Sequence, residues 1–305
     1  KMMWPDCSPP MLKSPSRKWN PVEAAQCPAI YPLLRPDYRF FAREIGVLYD
    51  FTPVLLPSWH APETVEHFGI LFTEASVLND SAVAISESTR FDARTMCGMP
   101  NQDIHVAYPG PSLCVHRHSS SEPAERSKNI ILVVSTLEPR KNGPFLMDWF
   151  LETKVLPPGM ELWWVGPRGW WASDSYMQEI KQRLAKVGDR KVNLTGMISD
   201  AELCKLYRRA AFSIYPSFYE GFGLPVLDSL LHETPVVSSY NSSLQEFNCP
   251  GLEYFDPTDK ETLDAAVVKT LARMQGQGNP IDLTALKARF SWQASAQKVL
   301  QLATV

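Results

Sequence analysis

The chain of 305 residues has no cysteine pair at C-x-x-C spacing; its six cysteines (Cys7, Cys27, Cys97, Cys114, Cys204, Cys249) are scattered. That excludes a zinc ribbon, and in a chain of this size it favours reduced, cytosolic thiols over a disulfide framework. No apolar run approaches the roughly 20 residues a membrane helix needs, and no signal peptide is visible. Strong charge of either sign is missing too. A net charge of −3 and a pI near 6.1 argue against a general nucleic-acid footprint. There is no D-x-D, no H-E-x-x-H and no carboxylate cluster suited to Mg²⁺, and the six histidines offer no ligand pair. His116 and His118 fall in a polar stretch and read as solvated.

What is present is a soluble globular composition, 45% hydrophobic and 21% charged, long enough for two medium domains. Residues 1–36 are proline-rich without a sustained apolar period and read as loop. The second half alternates regularly. Short β-branched runs at 129–136, 161–166, 191–196, 212–217, 234–239 and 252–257 are separated by helical patterns at 144–153, 174–187, 200–210, 225–232 and 259–274. Such alternation predicts βαβ units in a parallel, doubly wound sheet. Strands that are apolar throughout fit a sheet covered on both faces. Ser199 caps the 200–210 helix.

The first half holds fewer units: a strand in 46–57, a helix around 63–79, a strand at 81–86, a helix at 87–96 and a strand at 103–110. The fold expected is therefore α/β, two Rossmann-like domains facing across a cleft, the first incompletely represented. Residues 1–124 form the N-terminal α/β domain with much of the polar 115–129 linker, and 125–290 the C-terminal α/β domain. A helix at 291–305, with Trp292, Ala296 and Leu300 on one face, is expected to pack back toward the first.

The stretch SFYEGFGLPVLDSL, residues 217–230, carries the chemistry. Tyr215 to Phe218 ends a buried strand and Pro225 opens a helix, so EGFGL is the loop at the carboxyl end of a parallel strand, where ligands of open α/β sheets bind. Gly221 and Gly223 allow close backbone approach, and the amides that open the helix make an anion site. Asp228 lies one turn into that helix. The result is an anion held by amides between two carboxylates able to accept hydroxyl hydrogen bonds, the features a sugar nucleotide requires. A strand–turn–helix whose carboxylate merely favours the helix dipole accounts for the same residues.

EGFGLPVLD resembles the acid, seven residues, acid signature of the retaining family 4 glycosyltransferases, whose fold is GT-B. STLEPRKN (135–142), WVGPRGWW (164–171) and the run from Thr195 to Glu246 are similar to further segments of that family in order and spacing; LYDFTPVLLP and AISESTRFD are similar to parts of its acceptor domain. The resemblance implies that Glu220 contacts the donor hexose and that Asp228 binds the ribose. It implies that Gly221, Phe222, Gly223 and Leu224 hold sugar hydroxyls and phosphate, with Ser135, Gly166 and Met197 also lining the donor site. Arg140 and Lys141 would neutralise the departing diphosphate; Arg suits phosphate by its fork and Lys by its point charge. No metal or cofactor is expected, because cations and helix amides take the metal's place.

Two positions depart from the family pattern. Tyr49-Asp50 stands where members often have His-Asp, so Tyr49 offers a hydroxyl and not an imidazole over the sugar. Ser135 stands where some have a base. Mannosyltransferase-type bacterial members are the most similar. The expected activity is thus retaining transfer of a hexose, mannose favoured with GDP-mannose as donor, onto a saccharide or lipid-linked saccharide acceptor in polysaccharide biosynthesis. A non-catalytic nucleotide- or glycan-binding partner subunit is the other reading, and the two segments speak against an epimerase. In RPDYRFFAREIG (35–46), Arg35, Arg39 and Arg43 would form a basic stripe, if helical, able to meet anionic lipid at the inner face of the membrane. A solvated face is the plainer reading. Trp170 and Trp171 either stack on a sugar or fill the core.

Overall fold

The computed structural model describes residues 20–32, 35, 38–96, 98–99, 103–112, 129–169, 173–186, 188–276 and 280–304. His116, His118, Trp170, Trp171, Cys7, Cys97, Cys114 and almost all of the 115–129 linker lie outside them. Two parallel sheets organise the molecule. The first has four strands in chain order, β1 (Pro28–Tyr31), β2 (Arg43–Leu48), β3 (Ser81–Ala84) and β4 (Asp103–Val106). The second is built from β5 (Ile130–Val134), β6 (Glu161–Val165), β7 (Lys191–Gly196), β8 (Phe212–Tyr215), β9 (Val236–Ser239) and β10 (Leu252–Phe255), ordered β10-β9-β8-β5-β6-β7. The chain runs outward from β5 to β7, then returns to β8 on the other side. The strand order therefore reverses between β5 and β8, and ligands of such sheets sit beyond the carboxyl ends of the strands at that point.

The all-apolar strands explain the two-sided burial. Ile131 and Val133 of β5 pack with Trp149, Phe150 and Trp164 on one face. Ile130 and Leu132 meet Cys204, Leu206 and Tyr207 of the Asp200–Arg209 helix on the other. That helix opens on a reciprocal capping box, in which the Ser199 hydroxyl accepts from the Glu202 amide and the Glu202 carboxylate accepts from the Ser199 amide. Cys27 and Cys249 are free thiols, but Cys204 is disulfide-bonded, which departs from the reading of all six as reduced.

Two further expectations are corrected. Within the proline-rich start, residues 28–31 form the edge strand β1, paired in parallel with β2; an edge strand tolerates Pro28 at its first position. Residues 38–46 are not helical, and Arg43 already belongs to β2. The arginine stripe for a membrane is therefore absent. Arg35 is buried against Glu44 at 2.5 Å and Asn79 at 2.7 Å, Arg39 pairs with Asp80 at 2.6 Å, and Arg43 reaches Ser81 at 3.2 Å. Among the described residues no helix is long and apolar enough to cross a membrane. The Trp292–Thr304 helix does turn back to the first sheet, on which it packs through Val299, Leu302 and Ala303 against Ile45, Val83 and Ala107. Trp292 and Leu300 stay largely exposed, and the Trp292 indole donates to the Pro111 carbonyl at 2.7 Å.

Candidate active site

The loop after β8 is clamped from two sides. The Ser217 carbonyl accepts from the Ser239 hydroxyl at 2.6 Å and from the Asn241 amide at 2.9 Å. The Phe218 amide donates to the Arg140 carbonyl at 2.9 Å, on the turn that follows β5. The Glu220 amide donates to Ser242 Oγ at 2.9 Å, and Ser243 Oγ donates to the Glu220 carbonyl at 2.8 Å. These bonds fix the direction of the Glu220 side chain. Gly223 then turns into the Leu224–Leu231 helix with φ at +102°, and a Cβ there would stand 2.7 Å from Leu244 Cδ2. Both the torsion and the space require glycine.

Glu220 lies between two cations. Its Oε1 accepts from Lys141 Nζ at 2.5 Å and its Oε2 from Arg140 Nη1 at 3.0 Å. Arg140 also donates to the Tyr219 carbonyl at 2.7 Å and to Glu138 Oε1 at 3.0 Å. Burial would raise the Glu220 carboxyl; the charges of Lys141 and Arg140 overcome it and hold the group at about 2. Glu220 is thus a permanent carboxylate, able to accept hydroxyl hydrogen bonds and unable to act as an acid near neutrality.

The first lobe closes over this loop. Tyr49 and Asp50 leave β2 directly against Gly221, where a Cβ would lie 2.6 Å from the Tyr49 carbonyl and 2.9 Å from Asp50 Cβ. The close approach that Gly221 permits in this form is therefore to the opposite lobe. Asp50 Oδ1 accepts from the Thr52 amide at 3.0 Å and hydroxyl at 2.7 Å, tying the turn. The Tyr49 side is open, with 43% exposure. Thr89 Oγ1 donates to the Tyr49 carbonyl at 3.0 Å, and the Trp59 and Phe218 rings meet at 5.3 Å across the cleft.

Not every expected donor contact faces this space. Asp228 is only 4% exposed, and its Oδ1 accepts the Ser112 amide at 3.0 Å. The carboxylate assigned to a ribose is engaged here by the segment that leaves the first lobe. Phe222 is buried among Tyr108, Phe247 and Phe290, so its side chain belongs to the core and only its backbone is left for a ligand. Leu224 packs against the same cluster. The Gly166 amide donates to the Gly196 carbonyl at 3.0 Å, beside the Ser135 carbonyl. Ser135 Oγ is buried without a hydrogen-bond partner. Met197, 68% exposed, lies beyond β7. Among the described residues no three His, Cys, Asp or Glu side chains cluster so as to hold a metal ion.

Sequence reasoning did not single out His60, Ser112, Tyr219 or Glu246. His60 feels Arg140, Asp50 and Glu138, yet a lone histidine in a turn carries no spacing signal. Tyr219 bonds Asp92 of the opposite lobe, and Glu246 accepts from the Glu87 and Ser88 amides. The adjacency of Tyr219 to Glu220 was the one available hint.

Residues 128–273 match the family model described as Glycosyl transferases group 1. The O-antigen chain mannosyltransferase B of Escherichia coli is 27% identical over 243 residues, covering 75% of this chain and 61% of that protein. The mannosylfructose-phosphate synthase of Agrobacterium fabrum is 26% identical over 219 residues, covering 67% of this chain and 48% of that protein. The chain thus spans less than two thirds of the length of either relative. Among solved structures, the sucrose-phosphate synthase of Thermosynechococcus elongatus matches with a TM-score of 0.66 at 22% identity, covering 87% of this chain and 68% of that one.

Proposed function

We propose that this chain, whose residues 128–273 match the model described as Glycosyl transferases group 1 and whose two parallel sheets match a GT-B structure, moves a hexose, mannose first, from a nucleotide-sugar donor to a saccharide or lipid-linked saccharide acceptor. Transfer proceeds with retention of configuration and without a metal ion. The observation that carries this reading is Glu220 held as a carboxylate by Arg140 and Lys141, beyond the carboxyl ends of β5 and β8.

In the reaction, the bond from the anomeric carbon to the diphosphate oxygen breaks. Negative charge grows on the leaving nucleoside diphosphate, and Arg140 and Lys141 supply fixed positive charge to it. The electron-poor anomeric carbon gains a bond to the acceptor oxygen on the same face, and the acceptor hydroxyl proton passes to a departing phosphate oxygen. Glu220 accepts hydrogen bonds from the donor hexose and orients it. A carboxyl held at about 2 neither donates a proton to the leaving group nor is basic enough to take one from the acceptor, which leaves the departing phosphate as the base. Mannose is favoured because the relative from Escherichia coli is named as a mannosyltransferase. Nucleoside diphosphate release, measured with GDP-mannose and UDP-glucose in turn and with chelator present, tests the reading. Turnover of GDP-mannose supports it; turnover of UDP-glucose alone removes mannose, and loss of turnover with chelator removes metal independence.

One observation favours a second reading. Asp228 is occupied by the Ser112 amide, as expected if the chain binds a nucleotide weakly and serves as a non-catalytic partner. GDP binding without release of GDP from any donor would select it.

A further inference from the structure

His60 Nε2 is shut from solvent and has no hydrogen-bond partner, and unpaired buried polar atoms are uncommon enough in native proteins to need a cause. The residue follows the Pro57–Trp59 turn, where its amide donates to the Pro57 carbonyl at 3.1 Å. That turn is seated against the opposite lobe by the Trp59–Phe218 ring contact at 5.3 Å, two residues before Glu220. The charged groups whose fields reach the imidazole are Arg140, Asp50 and Glu138, from the two loops that face each other over Glu220.

We propose that His60 is a sugar-contacting residue, whose Nε2 takes a hydroxyl of the hexose when the lobes part to admit substrate. The inference rests on the glycosyltransferase reading and adds a residue to it. A hydroxyl both donates and accepts, so it satisfies Nε2 in either neutral tautomer. A phosphate oxygen only accepts, so it would serve Nε2 in one neutral tautomer and leave it unpaired in the other. Burial and the Arg140 charge lower the basicity of His60 against the opposing pull of Asp50 and Glu138, which favours the neutral ring and hence the hydroxyl. The hydroxyl has two sources, the donor hexose and the acceptor saccharide.

The test compares wild type, His60→Ala and His60→Gln in the full chain. It measures GDP-mannose hydrolysis without acceptor, transfer to a mannose-terminated oligosaccharide, GDP affinity by calorimetry, and Tm. His60→Ala is expected to lower kcat/KM about tenfold with GDP affinity and Tm unchanged, and His60→Gln to recover part of the loss through its amide. A loss already present in hydrolysis assigns the contact to the donor hexose; a loss confined to transfer, with a raised acceptor KM, assigns it to the acceptor. Wild-type kinetics in His60→Ala overturn the proposal, as does GDP affinity that falls in step with kcat/KM, or a Tm that drops in both variants. A wild-type protein that turns over neither GDP-mannose nor UDP-glucose overturns the glycosyltransferase reading and this inference together. An active wild type with an indifferent His60→Ala removes this inference alone.

Discussion

Glu220 is bound on both oxygens by cations, and two consequences follow from that arrangement. Glu220→Gln keeps the shape but removes the charge, leaving Arg140 and Lys141 facing each other with less compensation. Transfer should fall by about 100-fold or more, while GDP, itself an anion, should bind at least as tightly; calorimetry beside a product-release assay reads both. Equal losses in binding and turnover would place Glu220 in donor affinity and not in the reacting centre. The second consequence concerns acid. The folded carboxyl sits at about 2, below its ordinary 4.5, so its stabilisation is complete above about pH 4.5 and is lost as pH falls from there toward 2. The amount is roughly 3 kcal/mol. Denaturant unfolding between pH 6 and 3 should show a shallower acid loss for Glu220→Gln than for wild type. Glu220, Arg140 and Lys141 were legible in the sequence because their motifs fix both residue type and spacing. Ser112 and His60 were not, because a lone serine and a lone turn histidine carry no spacing signal, and the Ser112 amide meets Asp228, 116 positions further on, only through the fold. Asp228 was legible as an acid in the motif, but its bond to Ser112 was not.

At the scale of elements, the alternation of strand and helix was readable wherever a strand is buried on both faces, as β5, β8 and β9 are, because no competing period exists there. It failed for β1, a four-residue edge strand beginning at a proline, whose extended form is imposed by pairing with β2. It failed again for residues 35–46, where arginines at helical spacing are drawn instead to Glu44 and Asp80. The Trp292–Thr304 helix was readable as a helix but not by face: its buried side is chosen by the first sheet, and Trp292 is held aside by the Pro111 carbonyl. The turn into the Leu224–Leu231 helix depends on one residue. Gly223→Ala meets a forbidding torsion of +102° and Leu244 at 2.7 Å, and should cost about 1–3 kcal/mol in thermal unfolding. Leu244→Ala in the same background should relieve part of the clash but none of the torsion, so rescue should be incomplete. Full rescue would show that space alone requires the glycine.

The whole molecule is two lobes joined by polar contacts across the cleft, and Glu246 makes the most concentrated of them. Its carboxylate, from the Ser242–Glu246 turn of the second lobe, accepts the Glu87 amide at 2.9 Å and the Ser88 amide at 2.8 Å. Those amides begin the Glu87–Thr95 helix of the first lobe, whose own cap, Ser86, serves Thr89. A carboxylate supplied by the other lobe thus completes this helix start and meets the positive end of its dipole. The Tyr108 hydroxyl donates to the same carboxylate at 2.9 Å, and Tyr219 beside Glu220 bonds Asp92 of the same helix. Closing the lobes therefore orders the helix start and the Glu220 loop together. Glu246→Ala should release the Glu87 and Ser88 amides, speeding their hydrogen exchange by about tenfold or more, and should raise the radius of gyration in solution scattering as the lobes part. The Ser217–Gly223 loop, still clamped by Ser239, Asn241 and Ser242 within its own lobe, should keep its protection. If Glu87 and Ser88 exchange as in wild type, the carboxylate is only a local cap, and closure is held by the apolar seam of Trp59 with Phe218 and Tyr108 with Phe222. In that case Trp59→Ala, not Glu246→Ala, is the substitution that opens the molecule.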